Sequence, residues 1–133
     1  MIEYTYNDGG RIAAGFKGSC GDCVTRALAI LTGEPYKECY DALALAQQNA
    51  GLAKSARNGI HRKVYTPVYQ AYGLEKIALP PGPKPTFAEA YARHGDCIVS
   101  TSRHVCAIVA GALDDIREMQ TQPRKAISVW VKK

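Results

Sequence analysis

The spacing of apolar residues changes near Gly95, and this change constrains the fold more than any other feature of the sequence. Before Gly95, apolar residues recur every three or four positions, which is typical of helices that bury one face. After it come the short runs CIVST, HVCAIVAG, ALDDI and AISVWV, which are rich in β-branched residues. These runs predict an antiparallel sheet. Helices followed by strands indicate an α+β domain with the N-terminal helices packed on one side of a C-terminal antiparallel sheet.

Capping residues, prolines and glycines give the bounds of the predicted elements. The first predicted helix is capped by Asp22 and stopped by Gly33, and the second has Pro35 at its first position and Gly51 past its end. A helical stretch from Ile60 to Tyr72 is interrupted by Pro67 and stopped by Gly73, and a short strand is predicted over 74–79. The last predicted helix, over 87–94, is preceded by the capping box Thr86 and Glu89. The polar segment 52–59 is predicted to be a surface loop.

Length and composition favour one domain over residues 1–133 that builds its own core. No stretch approaches the roughly 20 apolar residues that cross a bilayer, so no membrane span is expected. The start, MIEYTYNDGG, has neither the basic nor the apolar region of a secretion signal. We therefore expect a cytoplasmic location.

Cysteine count and charge narrow the functional classes. The five cysteines are an odd number in a chain long enough to fold without bridges, which favours reduced thiols. The net charge of +5 comes from scattered residues without aromatic interleaving, so nucleic-acid binding rests on charge alone. No cofactor or metal is expected, and the sequence does not decide the oligomeric state.

Three residues are candidates for nucleophilic chemistry. Cys23 lies in the first turn of a predicted helix, where free backbone N–H groups and the helix dipole favour a thiolate. Such a thiolate needs a base from elsewhere, and His104 begins a predicted strand after a polar turn. If Ala110-Gly111 is a hairpin turn, the alternation of side chains places Asp115 rather than Asp114 on the face of His104.

The residues around Cys23 resemble a known family. CGDCV is similar to the CG-[SA]-CW signature around the nucleophile of papain-like cysteine proteases. Segments GDCVTRALAILTGEPYKECYDAL, NGIHRKVY and SRHVCAIVAGALDD resemble small phage and bacterial papain-fold proteins, and the resemblance spans most of residues 20–131. It implies a papain-like fold with Cys23 as nucleophile, His104 as general base and acid, and Asp115 as the residue that orients the imidazole.

The resemblance also bears on the oxyanion hole. Papain-like enzymes place a glutamine six positions before the nucleophile, and this sequence has Lys17 there. A flexible ammonium is a less preorganised donor than an amide, and loss of one such donor costs on the order of a hundredfold in rate. Ser19 is another candidate donor, and His61 either lines the substrate groove or fixes its loop.

Other roles for these residues are less well supported. Cys20 and Cys23 have redox-pair spacing, but no βαβ unit surrounds them. A zinc site could use Cys97, His104 or Cys106, although the ligand spacing is weak.

His94 is expected to complement the end of a helix, and Arg26 to form a buried salt bridge. Trp130 and five tyrosines at helical spacing are expected to pack in the core, and these tyrosines are Tyr36, Tyr40, Tyr65, Tyr69 and Tyr72.

Taken together, the residues and the resemblance predict a cysteine peptidase or related acyl-transfer enzyme, whose partner is a protein or peptide substrate. The alternative is a non-catalytic binding module with the same fold, which would use its groove and basic surface to engage a host factor. A third hypothesis, a DNA-associated basic protein, rests only on the net charge of +5.

Overall fold

A computed structural model describes residues 2–17, 21–102, 104–121 and 125–133 of the chain. Their helices and strands are β1 (Glu3–Tyr6), α1 (Cys23–Thr32), α2 (Tyr36–Asn49), α3 (Arg62–Ala71), β2 (Leu74–Ile77), α4 (Phe87–His94), β3 (Cys97–Ser100), β4 (Val105–Val109), β5 (Ala112–Asp115) and β6 (Ser128–Lys132), with a short 3-10 turn at Met119–Thr121. No helix in these ranges is both long and apolar enough to cross a bilayer.

The strands form one six-stranded mixed sheet in the order β1-β5-β4-β3-β6-β2. The four C-terminal runs pair antiparallel, as the sequence predicts, and β2 adds antiparallel to β6. Strand β1 was not predicted, and it pairs parallel to β5 at the opposite edge. Its sequence EYTY alternates tyrosines with Glu3 and Thr5, and tyrosine and threonine are both favoured in strands.

Helices cover both faces of the sheet. Helices α1, α2 and α3 share one apolar cluster with Ile98, Ala107 and Trp130, whereas Phe87 and Ala90 of α4 pack with strand residues of the other face. The expectation of helices on one side is therefore wrong for α4. All four residues of β3 are buried, because a continuous apolar strand needs cover on both faces.

Capping residues, prolines and glycines in the sequence predict the helix ends to within one or two residues. Gly33, with φ 75°, ends α1 in the left-handed conformation, and the reciprocal Thr86 and Glu89 capping bonds are present at α4. Pro35 lies at the N-cap of α2 rather than at its first helical position. The predicted surface loop 52–59 has no helix or strand.

Two residues depart from their predicted local roles. Asp22 occupies the N-cap position of α1, but its side chain makes no capping bond and is buried among ion pairs instead. Helix α3 runs through Pro67 without interruption. Pro67 is exposed while Tyr65 and Tyr69 of the same helix are buried, so their packing offsets the roughly 3 kcal/mol cost of an internal proline.

Candidate functional site

Cys23 is the first residue of α1, and α1 lies against β4. Because it occupies the first helical position, its backbone N–H has no acceptor within the helix. The thiol is half-buried at the junction between the helix start and the sheet. This is the position at which the sequence predicts a nucleophile.

His104 and Asp115 meet at the end of the hairpin formed by β4 and β5. Ala107 pairs with Asp114, and Ile108 pairs with Leu113, so Asp115 lies on the face predicted for His104. The His104 Nε2 and Asp115 Oδ2 atoms are 2.5 Å apart. The carbonyl of His104 accepts a hydrogen bond from the Thr101 N–H at 2.7 Å, which fixes the turn before β4.

Cys23 and His104 line the same cavity, and each is close enough to the other to shift its pKa. Burial favours the neutral thiol, but the hydrogen bond and positive charge of His104, with a hydrogen bond from the Val105 backbone, lower the pKa of Cys23. Burial likewise disfavours the imidazolium, yet the hydrogen bonds to Asp115 and Cys23 raise the pKa of His104 to about 9. Each group therefore favours the charged form of the other, as in a thiolate–imidazolium pair.

A buried ionic network holds Asp115 in place. Its Oδ1 atom accepts the Ile116 N–H at 2.8 Å and lies 3.5 Å from the Arg26 guanidinium. Arg26 also pairs with Asp22, which in turn lies 3.2 Å from the Nε atom of Arg11. The predicted buried salt bridge of Arg26 is confirmed. Through Arg26, the Asp22 carboxylate is linked to the site instead of capping α1.

The parallel strand β1 fixes the backbone beside the same residue. The Asp115 carbonyl accepts hydrogen bonds from the Tyr4 hydroxyl at 3.0 Å and from the Asn7 N–H at 2.9 Å. Both donors lie on or directly after β1. The unpredicted edge strand therefore anchors the end of β5 from which Asp115 projects.

A cavity of about 630 Å³ opens beside the Cys23 and His104 side chains. Its walls come from α1, α3, β2 and β6 and from the turn before β4. Sequence reasoning assigned no functional role to the hydroxyl-bearing residues that line it, which are Tyr65, Thr66, Ser100, Thr101, Ser102 and Ser128. Ser100 and Ser128 are buried and share a hydrogen bond across adjacent strands. In the sequence, the signal for this pair is a serine at the end of a largely apolar strand: Ser100 ends CIVS, and Ser128 begins SVWVK.

The remaining predicted site residues have different positions. His61 lines the cavity, and its Nδ1 atom accepts the Lys63 N–H at 3.1 Å. A role in substrate binding stays a prediction. Lys17 is exposed and does not line the cavity, and its carbonyl accepts a bond from Arg11. Ser19 and Cys20 lie outside the described residues. An oxyanion role for Lys17 or Ser19 stays a prediction.

His104, Cys106 and Asp115 also form a potential metal-ligand group. Their ligand atoms lie within 4.8 Å of one another. Both oxygens of Asp115 are already engaged, by His104 on one side and by Arg26 and the Ile116 N–H on the other. A metal ion would have to displace these contacts, so the geometry favours a hydrogen-bonded network.

His94, which the sequence predicts at a helix end, lies in the last turn of α4, and it does not line the cavity. Trp130 is buried against Tyr69, with ring centroids 5.4 Å apart, as expected for a core residue.

Comparisons of the chain with protein-family models, curated proteins and solved structures give no match. The functional assignment therefore rests on the residues of this chain and their geometry.

The pKa shifts of Cys23 and His104 make the free energy of unfolding depend on pH. His104, whose pKa rises from 6.5 to about 9 on folding, contributes stability that is complete below about pH 6.5 and is lost as pH rises through about 9. Cys23, whose pKa falls below its ordinary value of 9.0, contributes stability that grows as pH rises toward that value. At pH values where both Cys23 and His104 titrate, their contributions to the free energy of unfolding change in opposite directions and cancel.

Substitution Cys23→Ala is expected to reveal the His104 contribution alone, because Asp115 still raises the pKa of the ring. Between about pH 6.5 and 9, the free energy of unfolding should then fall by on the order of 1 kcal/mol more than it does in the wild-type chain. Urea unfolding across this range measures the difference. Cys39→Ala is the matched control, since Cys39 is a buried thiol whose pKa burial raises to about 12. Parallel pH profiles for wild type and Cys23→Ala would contradict the ion pair.

Proposed function

We propose that this chain is a papain-like cysteine hydrolase that breaks a peptide or other amide bond through an acyl intermediate on Cys23. One observation carries the proposal: Cys23 and His104 line the same cavity of about 630 Å³ and shift each other's pKa, and His104 is hydrogen-bonded to Asp115. A thiolate held next to a protonated imidazole is a nucleophile paired with its own general acid. The cavity gives a substrate access to both groups.

In the acylation half of the reaction, the Cys23 thiolate attacks the carbonyl carbon, and the carbonyl electron pair moves onto oxygen. As the C–N bond breaks, His104 gives its proton to the leaving nitrogen. The products are an amine, a thioester on Cys23 and a neutral imidazole. Asp115 holds the ring with Nε2 on its carboxylate, which leaves Nδ1 for the sulfur and the leaving group.

In the deacylation half, the neutral His104 takes a proton from water as its oxygen attacks the thioester carbon. The C–S bond then breaks, and the Cys23 thiolate and the His104 imidazolium are restored. An amine in place of water would give transamidation, and a glutamine side chain as substrate would give deamidation. Hydrolysis of a peptide or isopeptide bond is the leading outcome.

The oxyanion formed in each half needs hydrogen-bond donors. The Cys23 backbone N–H is free of helical bonding, and Tyr65 lines the same cavity. Burial, followed by the negative charge on Cys23, raises the pKa of Tyr65, so its hydroxyl remains protonated and able to donate. We assign these two groups as candidate donors beside the predicted Lys17 and Ser19.

Acyl transfer can be tested with p-nitrophenyl acetate as a small acyl donor. The full chain is expected to release about one equivalent of nitrophenolate in a burst and to gain an acetyl group on Cys23, because a thiolate acylates readily. Nitrophenolate absorbance and peptide mapping by mass spectrometry measure the two products.

The controls separate the enzyme from its main alternative. Cys23→Ala should lose the burst, whereas Cys39→Ala should keep it, because burial raises the pKa of the Cys39 thiol to about 12. A chain that gains no acetyl group on Cys23, or reacts equally fast after Cys23→Ala, would favour the non-catalytic binding module.

A further inference from the structure

The cavity beside Cys23 is lined by cationic side chains and by no acidic residue of the described chain. Arg62 begins α3, and Lys76 lies on β2 directly opposite Trp130 of β6, so that both face the space next to the thiol. Neither forms an ion pair with a described carboxylate, although Arg62 is close enough to Tyr65 to lower the pKa of its hydroxyl. These two charges are therefore available to a ligand.

The other charges near the site cancel. The Cys23 thiolate offsets the His104 imidazolium, while the two carboxylates of Asp22 and Asp115 offset Arg11 and Arg26 in the buried network. The cavity thus keeps the positive charge of its cationic wall. A concave site lined by one sign of charge attracts ligands of the opposite sign.

Trp130 supplies a second, independent observation. It is 1% exposed and lines the same cavity, and its Nε1–H has no hydrogen-bond acceptor among the described residues. Buried N–H groups without an acceptor are rare, because each loses its hydration without compensation. Trp130 is paired directly opposite Lys76 on the neighbouring strand, so this unsatisfied residue lies next to the cationic wall.

We infer that the substrate carries a carboxylate, which Arg62 and Lys76 bind beside the carbonyl that Cys23 attacks. The inference rests on the proposed acyl transfer at Cys23, and it adds the class of substrate. Carboxylates are the ordinary anionic groups of peptides, and they occur on aspartate and glutamate side chains and at the C-terminus. Both sources share the chemistry that a guanidinium and an ammonium recognise.

The charge preference can be measured with two alkylating agents of similar size. Iodoacetate and iodoacetamide both transfer a carbon to the Cys23 sulfur and release iodide, but only iodoacetate carries a carboxylate. The ratio of the rate with iodoacetate to the rate with iodoacetamide is expected to be about tenfold higher for Cys23 than for a free small thiol in the same low-salt buffer. The double variant Arg62→Gln/Lys76→Gln should lose most of this preference, which is measured as the ratio of the two rates within each variant.

The control has the same change in net charge away from the cavity. Lys54 and Lys63 are exposed and do not line it, so Lys54→Gln/Lys63→Gln should leave the preference unchanged. If Arg62→Gln/Lys76→Gln and Lys54→Gln/Lys63→Gln prefer iodoacetate over iodoacetamide equally, the carboxylate site is wrong. A slow iodoacetamide reaction of Cys23 in the wild type would instead count against the proposed function, so the two failures are distinguishable.

Short peptides then separate the two sources of carboxylate. Protection of Cys23 from iodoacetamide by a blocked alanine peptide containing one glutamate would indicate a side-chain carboxylate. Protection by an alanine peptide with a free C-terminus would indicate a terminal carboxylate. If the glutamine counterpart of the first peptide protects as well as either carboxylate peptide, the inference is wrong.

Discussion

Replacing His104 with alanine is expected to slow alkylation of Cys23 by iodoacetamide at about pH 6 by on the order of a hundredfold or more. In the wild-type chain, the hydrogen bond and charge of His104 are the main causes that lower the pKa of Cys23. Without them, burial raises that pKa, and only a small fraction of the thiol is ionised at this pH. Mass spectrometry of the labelled chain over time gives the rate at each cysteine.

The pH profile distinguishes an ion pair from a thiol that is merely exposed. The wild-type rate should rise as pH passes the lowered pKa of Cys23 and change again near pH 9, where His104 loses its proton. In His104→Ala, one inflection should remain, above the ordinary cysteine value. Asp115→Asn should lie between the two, because the ring stays but loses its carboxylate partner.

Other thiols of the same chain serve as internal controls. Burial raises the pKa of both Cys39 and Cys97 to about 12, so neither should label appreciably while Cys23 reacts. If Cys23, Cys39 and Cys97 react at similar slow rates in the wild type, or if His104→Ala leaves the Cys23 rate unchanged, the nucleophile assignment fails.

Features with a local cause were predictable from the sequence. The capping box of Thr86 and Glu89, the left-handed Gly33 and the apolar stripe of α1 depend on residues a few positions apart. The contact between His104 and Asp115 was also predictable, because a short hairpin fixes which side chains share a face.

Features that depend on distant segments were not predictable. Strand β1 is short and pairs with a strand more than a hundred positions later, so nothing near it in sequence indicates its partner. Asp22 has the residue type and position of an N-cap. Burial among Arg11, Arg26 and Tyr36 overrides that local preference, and three charged or polar partners replace one backbone N–H.

The residues that line the cavity also divide into those that local sequence predicts and those that depend on distant segments. Cys23 was identified from its helix start, but Arg62, Lys76 and Trp130 come from three separate elements, which meet only when the sheet and helices pack. Tyr65 was expected to be a core residue, and it is buried as expected. Tyr65 also lines the cavity beside Cys23. Periodicity alone does not indicate this, because it predicts the buried face of a helix but not which residues lie against that face.

Arg26→Met is expected to lower the free energy of unfolding by about 3–5 kcal/mol, the usual cost of breaking a buried ion pair from one side. Arg26 is 4% exposed and lies between the carboxylates of Asp22 and Asp115. Without it, Asp22 keeps Arg11 and Tyr36, but the Oδ1 atom of Asp115 keeps only the Ile116 N–H. Urea unfolding monitored by circular dichroism measures the loss.

An exposed pair with the same sequence spacing is the matched control. Lys37 and Asp41 are four residues apart like Asp22 and Arg26, their charged atoms are 2.7 Å apart, and both side chains are solvent-exposed. Lys37→Met should therefore cost less than about 1 kcal/mol. The double variant Asp22→Asn/Arg26→Met should lose less than the sum of its single variants, because the charge stranded at Asp22 is removed with its partner. If Arg26→Met costs no more than Lys37→Met, the buried network does not hold Asp115 in place, and the support proposed for His104 must come from β1 and the hairpin alone.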